Sequence, residues 1–226
     1  MKNNNLSLSP RLYSAAHIAE KADRIIDVGC DHGYLSAYML LNGLASFAFL
    51  SDLRHGPLKK ARETVADFGV EDRTETVLSD GLDNFTPSDA DTVFICGMGG
   101  ELICDIISKA PWLCDGFHTL VLQPMTKDEE LRKLLYGSGY TVTCERAVYD
   151  SGRLYVVMRA GKGDGNDLYK NRFIFSDSFK TDPLFNDYLR KKQGIIRKIA
   201  EGKRIAGLDV SDEDEALRFL EKCYVC

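Results

Sequence analysis

The chain has 226 residues, of which 44% are hydrophobic, and this is enough apolar material for a folded core. No run approaches the ~20 apolar residues of a membrane span, and the first five residues lack the apolar stretch of a signal peptide. We therefore expect a cytoplasmic protein without a membrane partner. The net charge of −5 is uneven: residues 1–150 carry 14 Lys and Arg against 22 Asp and Glu (−8), and residues 151–226 carry 15 against 12 (+3).

The seven cysteines are odd in number and scattered, which indicates reduced thiols in a cytosolic protein. Cys223 and Cys226 form a C-x-x-C pair. A zinc site would need two more ligands, and the sequence offers no second pair at suitable spacing. We expect no metal.

Strand-like and helix-like patterns alternate over the first 160 residues. After an amphipathic helix at 12–22, strands are predicted at 24–28, 46–51, 74–78, 92–96 and 119–123. Helices are predicted between them at 34–41, 58–68, 101–108 and 128–136. Such alternation predicts an α/β fold with a parallel sheet, right-handed crossovers and helices on both faces. Ligands then bind at the carboxyl ends of the strands.

The first strand runs into the turn Asp27-Val28-Gly29-Cys30-Asp31-His32-Gly33. Gly29 lets the backbone approach a ligand closely. Asp52 ends the next strand about 20 residues further on, where an acid accepts hydrogen bonds from ribose hydroxyls. Asp31 replaces the middle glycine of a dinucleotide fingerprint and would repel a pyrophosphate. The turn therefore favours S-adenosylmethionine (SAM), which has a sulfonium and an ammonium, over NAD.

Further strand ends complete the predicted cofactor site. Asp27 fixes the turn or reaches the ammonium through water, and Asp80-Gly81 ends the third strand, where it can meet the adenine amino group. The remaining predicted cofactor contacts are Asp31, His32, Leu53 and Gly97. His32 is a possible base, although a hydrogen-bonded structural role is the commoner one for a single histidine.

The fourth strand ends in Gly97-Met98-Gly99-Gly100, which we call the glycine loop. Methylation of an exocyclic amine needs polar side chains that localise its lone pair, and this loop has none. A ring nitrogen such as adenine N1 already has an in-plane lone pair and needs mainly alignment. We assign Gly97, Met98 and Gly99 to the pocket of the target base, and Asp31 to the charge that develops on it.

Beyond the parallel strands, runs at 140–149 and 154–160 predict an antiparallel hairpin, the ending of a class I methyltransferase sheet. A glycine-rich break at 161–166 follows. It divides the chain into a SAM-binding domain, 1–162, and a helical hairpin, 167–226, that resembles a coiled coil. Pro183 opens the first helix, Gly207 ends it, and Ser211-x-x-Asp214 resembles a capping box for the second.

The first of these helices carries seven bases and one acid, Glu201, within residues 189–204, and we call this segment the basic helix. A solvated helix face normally mixes both signs, so the excess favours nucleic-acid contact. The predicted RNA-binding residues are Arg11, Lys191, Lys192, Arg197 and Lys198. Recognition of another partner, or dimerisation, is the alternative role for this hairpin.

Four segments together resemble the bacterial TrmK family: Leu8-Ser9-Pro10-Arg11-Leu12, the turn 27–35, the glycine loop and Leu122-Gln123-Pro124. Met125 stands where that family usually has Asn. The resemblance implies a SAM-dependent enzyme that methylates N1 of adenine 22 in tRNA and releases S-adenosylhomocysteine. Two alternatives stay open: a methyltransferase of a small molecule or protein, and a non-catalytic SAM-binding RNA adaptor. The oligomeric state is open as well.

Overall fold

The computed structural model describes residues 6–115, 117–163 and 166–224. Three features of the sequence therefore lie outside the described residues. They are the first five residues, the centre of the glycine-rich break (164 and 165) and Cys226 of the C-x-x-C pair.

A seven-stranded sheet forms the centre of the fold. Its strands are β1 (Arg24–Val28), β2 (Phe47–Asp52), β3 (Thr74–Leu78), β4 (Thr92–Met98), β5 (Thr119–Pro124), β6 (Tyr140–Asp150) and β7 (Arg153–Lys162). The order is β3-β2-β1-β4-β5-β7-β6. Strands β1 to β5 are parallel, and β7 runs antiparallel to both of its neighbours. The predicted parallel sheet with a closing hairpin is confirmed.

Eight α-helices are assigned among the described residues. They are α1 (Pro10–Ile18), α2 (Tyr34–Leu41), α3 (His55–Phe68), α4 (Gly100–Lys109), α5 (Asp128–Gly137), α6 (Asn166–Lys170), α7 (Phe185–Ile205) and α8 (Ser211–Lys222). None of these described helices is both long and apolar enough to cross a membrane.

Helices α1 and α8 differ from the sequence prediction at their ends. Helix α1 begins at Pro10, where the Ser9 hydroxyl caps it, and ends at Ile18, since Glu20 adopts a φ of +65°. The predicted capping box of α8 is wrong: Val210 is the N-cap, without a side-chain bond. The Ser211 hydroxyl donates instead to Asp209 (2.6 Å), so it is not free to cap the helix.

Successive residues of β1 show how the sheet divides the core. Ile25 packs with the residues of α1, α2 and α3, whereas Ile26 packs with those of α4 and α5. Because side chains alternate along a strand, the sheet has helices on both faces, as predicted.

The second of these core clusters continues into the C-terminal part of the chain. Phe175, Phe185, Tyr188 and Leu220 are buried in the same cluster as Leu131 of α5. The C-terminal helices are therefore packed against the rest of this core through apolar contacts. The division into units 1–162 and 167–226 stays a prediction.

Candidate active site

The strand ends named in the sequence meet at one edge of the sheet. Val28 pairs with Ser51 on β2 and with Ile95 on β4. Asp52 pairs with Leu78 on β3, and Cys96 pairs with Gln123 on β5. The predicted cofactor and base-pocket residues therefore lie along a single edge, the carboxyl end of the parallel strands, where α/β sheets bind ligands.

The turn after β1 depends on glycine. Gly29 has a φ of +70°, and its N–H donates to the Ser51 carbonyl (2.8 Å). A Cβ built on Gly29 would overlap the methyl group of Met98, so the turn lies directly against the glycine loop. The hydroxyl of Ser51 is buried and has no hydrogen-bond partner among the described residues. The two predicted glycine segments are thus in contact.

Asp27 is buried at the end of β1, and Ser36 at the start of α2 donates to its Oδ2 (2.8 Å). Burial raises the pKa of Asp27 to about 6, although the hydrogen bonds from Ser36 oppose this shift. A nearby cation would stabilise the charged form of this carboxyl and oppose the shift.

Asp52 is 8% exposed, and its Oδ1 accepts from the N–H of Arg54 (2.9 Å). Its Oδ2 has no hydrogen-bond partner in the described part of the chain. Leu53 follows with 63% exposure, an apolar side chain at the rim of the site. Asp80 is exposed and lies 4.0 Å from the Lys109 ammonium.

Gly81, beside Asp80, has a φ of +57°, and a Cβ there would be 3.1 Å from Ile106. The turn after β3 therefore requires glycine for its conformation and for its contact with α4.

Asp31 and His32 lie at the solvent side of the same turn. The Asp31 side chain is 74% exposed, and its backbone has a φ of +49°. His32 Nε2 is 3.8 Å from Asp31 Oδ1 and 3.5 Å from the Lys60 ammonium, and the His32 ring stacks on Tyr34. Neither residue is held in a buried acid–base arrangement, so general base catalysis by His32 gains no geometric support.

The glycine loop is held by backbone contacts with the segment after β5. The Met98 carbonyl accepts from Met125 N–H (2.8 Å), and Gly100 N–H donates to the Thr126 carbonyl (2.9 Å). A Cβ on Gly100 would overlap the Lys127 backbone. Gly97 is exposed, has a φ of +78° and has open space where a Cβ would lie. The loop therefore presents backbone at this edge.

Arg11 lies at this edge and not on the outer surface. Its Nε donates to Asp150 Oδ2 (2.7 Å), and its Nη1 donates to Gln123 Oε1 (3.1 Å). Its guanidinium carbon is 4.9 Å from the centroid of the Tyr155 ring. Sequence reasoning missed Asp150 and Tyr155 because both lie on the hairpin, more than 130 residues from Arg11.

The structure does not favour phosphate binding by Lys192. This side chain is buried, and its ammonium donates to Asp128 and to Glu129, both at 2.6 Å. Burial alone raises the pKa of Asp128, but Lys192 and Arg132 outweigh it and hold the pKa far below its usual range. Lys192 therefore ties α7 to the start of α5, a role that helical periodicity alone could not distinguish from an exposed one.

Most other bases of the basic helix are also engaged. Lys191 donates to the Leu154 carbonyl (2.5 Å), and three more bases form ion pairs, Arg190 with Asp187, Lys203 with Glu213 and Arg204 with Asp214. Arg197 and Lys198 are exposed and have no ion-pair partner among residues 6–115, 117–163 and 166–224. They are the bases most available to an anionic ligand.

Within the same ranges, no group of three His, Cys, Asp or Glu side chains could hold a metal ion. The cysteines whose side chains are described are free thiols. The fold and the site define a methyltransferase, and the methyltransferase-domain family model matches residues 8–158.

Relatives narrow this class. The tRNA (adenine(22)-N(1))-methyltransferase of Bacillus subtilis is 32% identical over 193 residues, 85% of this chain and 79% of that protein. The crystal structure of B. subtilis TrmK aligns over 96% of both chains, with a TM-score of 0.81 and 27% identity. M. capricolum TrmK in complex with S-adenosyl-homocysteine aligns with a TM-score of 0.77 and 24% identity over 95% of this chain and 96% of that one. The chain belongs to the TrmK family of methyltransferases.

Proposed function

We propose that this protein transfers the methyl group of SAM to N1 of an adenine in tRNA, at position 22. The observation that carries the proposal is the edge where the acidic β1 and β2 ends meet a glycine loop without polar side chains. The B. subtilis relative, which covers 85% of this chain, supports the base and its position. Cytoplasmic location follows as part of the proposal, since tRNA is the substrate.

The residues present fit SAM. Gly29 adopts the positive φ that turns the chain at the end of β1, where a methionine moiety would bind, and the free Oδ2 of Asp52 can accept from a ribose hydroxyl. The exposed face of Leu53 suits an adenine ring, with Asp80 and Gly81 beside it. Buried Asp27 offers a carboxylate to an ammonium through water. When bound, SAM supplies a methyl group already activated on a sulfonium.

The chain itself then has three tasks at the reacting atoms. The glycine loop brings a flat base against backbone, whose carbonyls can accept from adenine N6. Met98, packed on Gly29, separates the cofactor turn from the base. Asp31, two residues after Gly29, is our candidate for the acid that offsets the positive charge that the adenine ring gains on methylation. Neutral N1 needs no strong base, so the lack of a buried acid–base pair at His32 is compatible with this chemistry.

Access to N1 requires an unpaired or extruded base, with phosphates held on either side. Arg197 and Lys198 are our proposed phosphate contacts on the basic helix, because their charges are not neutralised by described acids. Lys191 is a weaker candidate, since its ammonium is partly satisfied by a carbonyl. We propose no metal and leave the oligomeric state open.

The test uses the full-length protein, methyl-labelled SAM and unmodified tRNA, with the same tRNA carrying guanine in place of adenine 22 as the matched control. We expect label in the first tRNA and none in the second. Label in protein or small molecules alone would favour a methyltransferase that acts on a small molecule or a protein. SAM binding without any transfer would favour a non-catalytic adaptor.

A further inference from the structure

We propose that Arg11 is a positioning residue, which sets the shape of the glycine loop through the side chain of Gln123. Arg11 Nη1 donates to Gln123 Oε1 (3.1 Å), and the same oxygen accepts from the N–H of Gly97 (3.2 Å). The guanidinium and the loop are therefore joined through one carbonyl oxygen. The catalytic consequence of this link rests on the function proposed above.

Gln123 is fully buried, and its orientation is determined by its neighbours. Its Nε2 donates to the Pro124 carbonyl (3.0 Å), while its Oε1 faces two donors. The reversed amide would place N–H groups against the N–H groups of Arg11 and Gly97, which is unfavourable in a buried site. Arg11 thereby selects the orientation that serves Gly97.

Gly97 needs this bond because the strand ladder does not provide it. The register of β4 with β5 shifts between Cys96 and Met98, so Gly97 is left out of the paired residues. Gly97 has no side chain, has a φ of +78°, and has open space where a Cβ would lie. The Gln123 side chain replaces the missing partner and fixes the peptide that opens the base pocket.

Arg11 is also poorly placed to grip a phosphate. Asp150 neutralises it through Nε (2.7 Å), and the Arg11 hydrogen bond lowers the pKa of that carboxyl. Nη1 additionally contacts the sulfur of Met125 (3.0 Å), and Tyr155 lies under the guanidinium. These partners hold the planar guanidinium of Arg11 in one orientation. A lysine cannot reproduce this arrangement, because its ammonium is a compact point charge and not a planar group with several fixed N–H donors.

The experiment compares Arg11→Lys with wild type in single-turnover and steady-state methylation of tRNA. We expect kcat to fall by roughly tenfold to a hundredfold, the usual result of a misplaced pocket, with KM for tRNA nearly unchanged and an unaltered salt dependence of binding. Asp150→Asn, which leaves Arg11 in place, should lower kcat in the same direction but less. A raised KM with unchanged kcat would overturn the proposal and make Arg11 a phosphate contact.

A second readout needs no tRNA. Cys96-Gly97 is the one Cys-Gly pair in the sequence, so ¹³C-carbonyl cysteine with ¹⁵N-glycine selects the Gly97 amide in NMR spectra. We expect its hydrogen exchange to accelerate at least tenfold in Arg11→Lys, while an amide such as that of Ile26 in β1 is unaffected. Unchanged Gly97 exchange would refute the link, even if tRNA proved not to be the substrate. Loss of methylation in the wild type would refute only the proposed function.

Discussion

Replacing Lys192 should cost stability and leave intrinsic tRNA affinity unchanged. Lys192→Met keeps roughly the length of the side chain but removes the ammonium, which donates hydrogen bonds to Asp128 and Glu129. Asp128 keeps Arg132 Nη1 (2.8 Å) and the Tyr188 hydroxyl (2.6 Å), so we expect a loss near the lower end of the range for broken buried ion pairs, about 3 kcal/mol. For a chain of this size that lowers Tm by about 6–12 °C.

Urea unfolding measured by circular dichroism checks this value, with Lys198→Gln on the same helix as the exposed control. The control should change the free energy of unfolding by less than about 0.5 kcal/mol. The pKa of Asp128 is held far below its usual range in the folded state, so its stabilisation is present above about pH 4 and is lost as the pH falls. The difference in free energy of unfolding between Lys192→Met and the wild type should therefore become smaller in acid. If Lys192→Met were as stable as the wild type but bound tRNA more weakly, this reasoning would be refuted.

Three further predictions concern the site. Asp52→Ala should weaken SAM binding in calorimetry while the protein stays folded, and unchanged affinity would remove Asp52 from the site. Arg197→Gln with Lys198→Gln should flatten the salt dependence of tRNA binding, by about 0.7 in log–log slope for each phosphate that the variant no longer neutralises, and an unchanged slope would leave the hairpin as a packing element. Burial raises the pKa of Asp27 to about 6, so stability falls as the pH rises from about 4 to about 6. Asp27→Asn should remove a change of about 3 kcal/mol over that window in urea titrations; an equal slope in both proteins would contradict the buried carboxyl.

The sheet could be predicted because its signals are local. The apolar runs and glycine turns place all five parallel strands within two residues of their observed bounds, and the hairpin ends the sheet as expected. Helix α8 begins at Ser211, but the capping box predicted from Ser211 and Asp214 does not form, because a nearby acid competes for the hydroxyl. The folded chain uses the Ser211 hydroxyl to bond Asp209.

Part of the candidate site could likewise be predicted from the sequence, and part could not. Gly29, Asp52 and the glycine loop meet at one edge because parallel strands impose it, and the sequence was sufficient for this. The sequence could not predict the contacts of Arg11 and Lys192, since their partners Asp150 and Asp128 come from distant segments. A count of basic residues on a helix carries no information on which of them are neutralised by the fold.

The product nucleoside tests the central claim most directly. Unmodified tRNA is incubated with SAM and the full-length protein, digested under mildly acidic conditions so that the methyl group does not migrate, and analysed by liquid chromatography with mass spectrometry. We predict 1-methyladenosine at position 22, formed about tenfold more slowly by Asp31→Asn, since that side chain is largely exposed and its charge is screened. N6-methyladenosine as the primary product would contradict an account built on a loop without polar side chains.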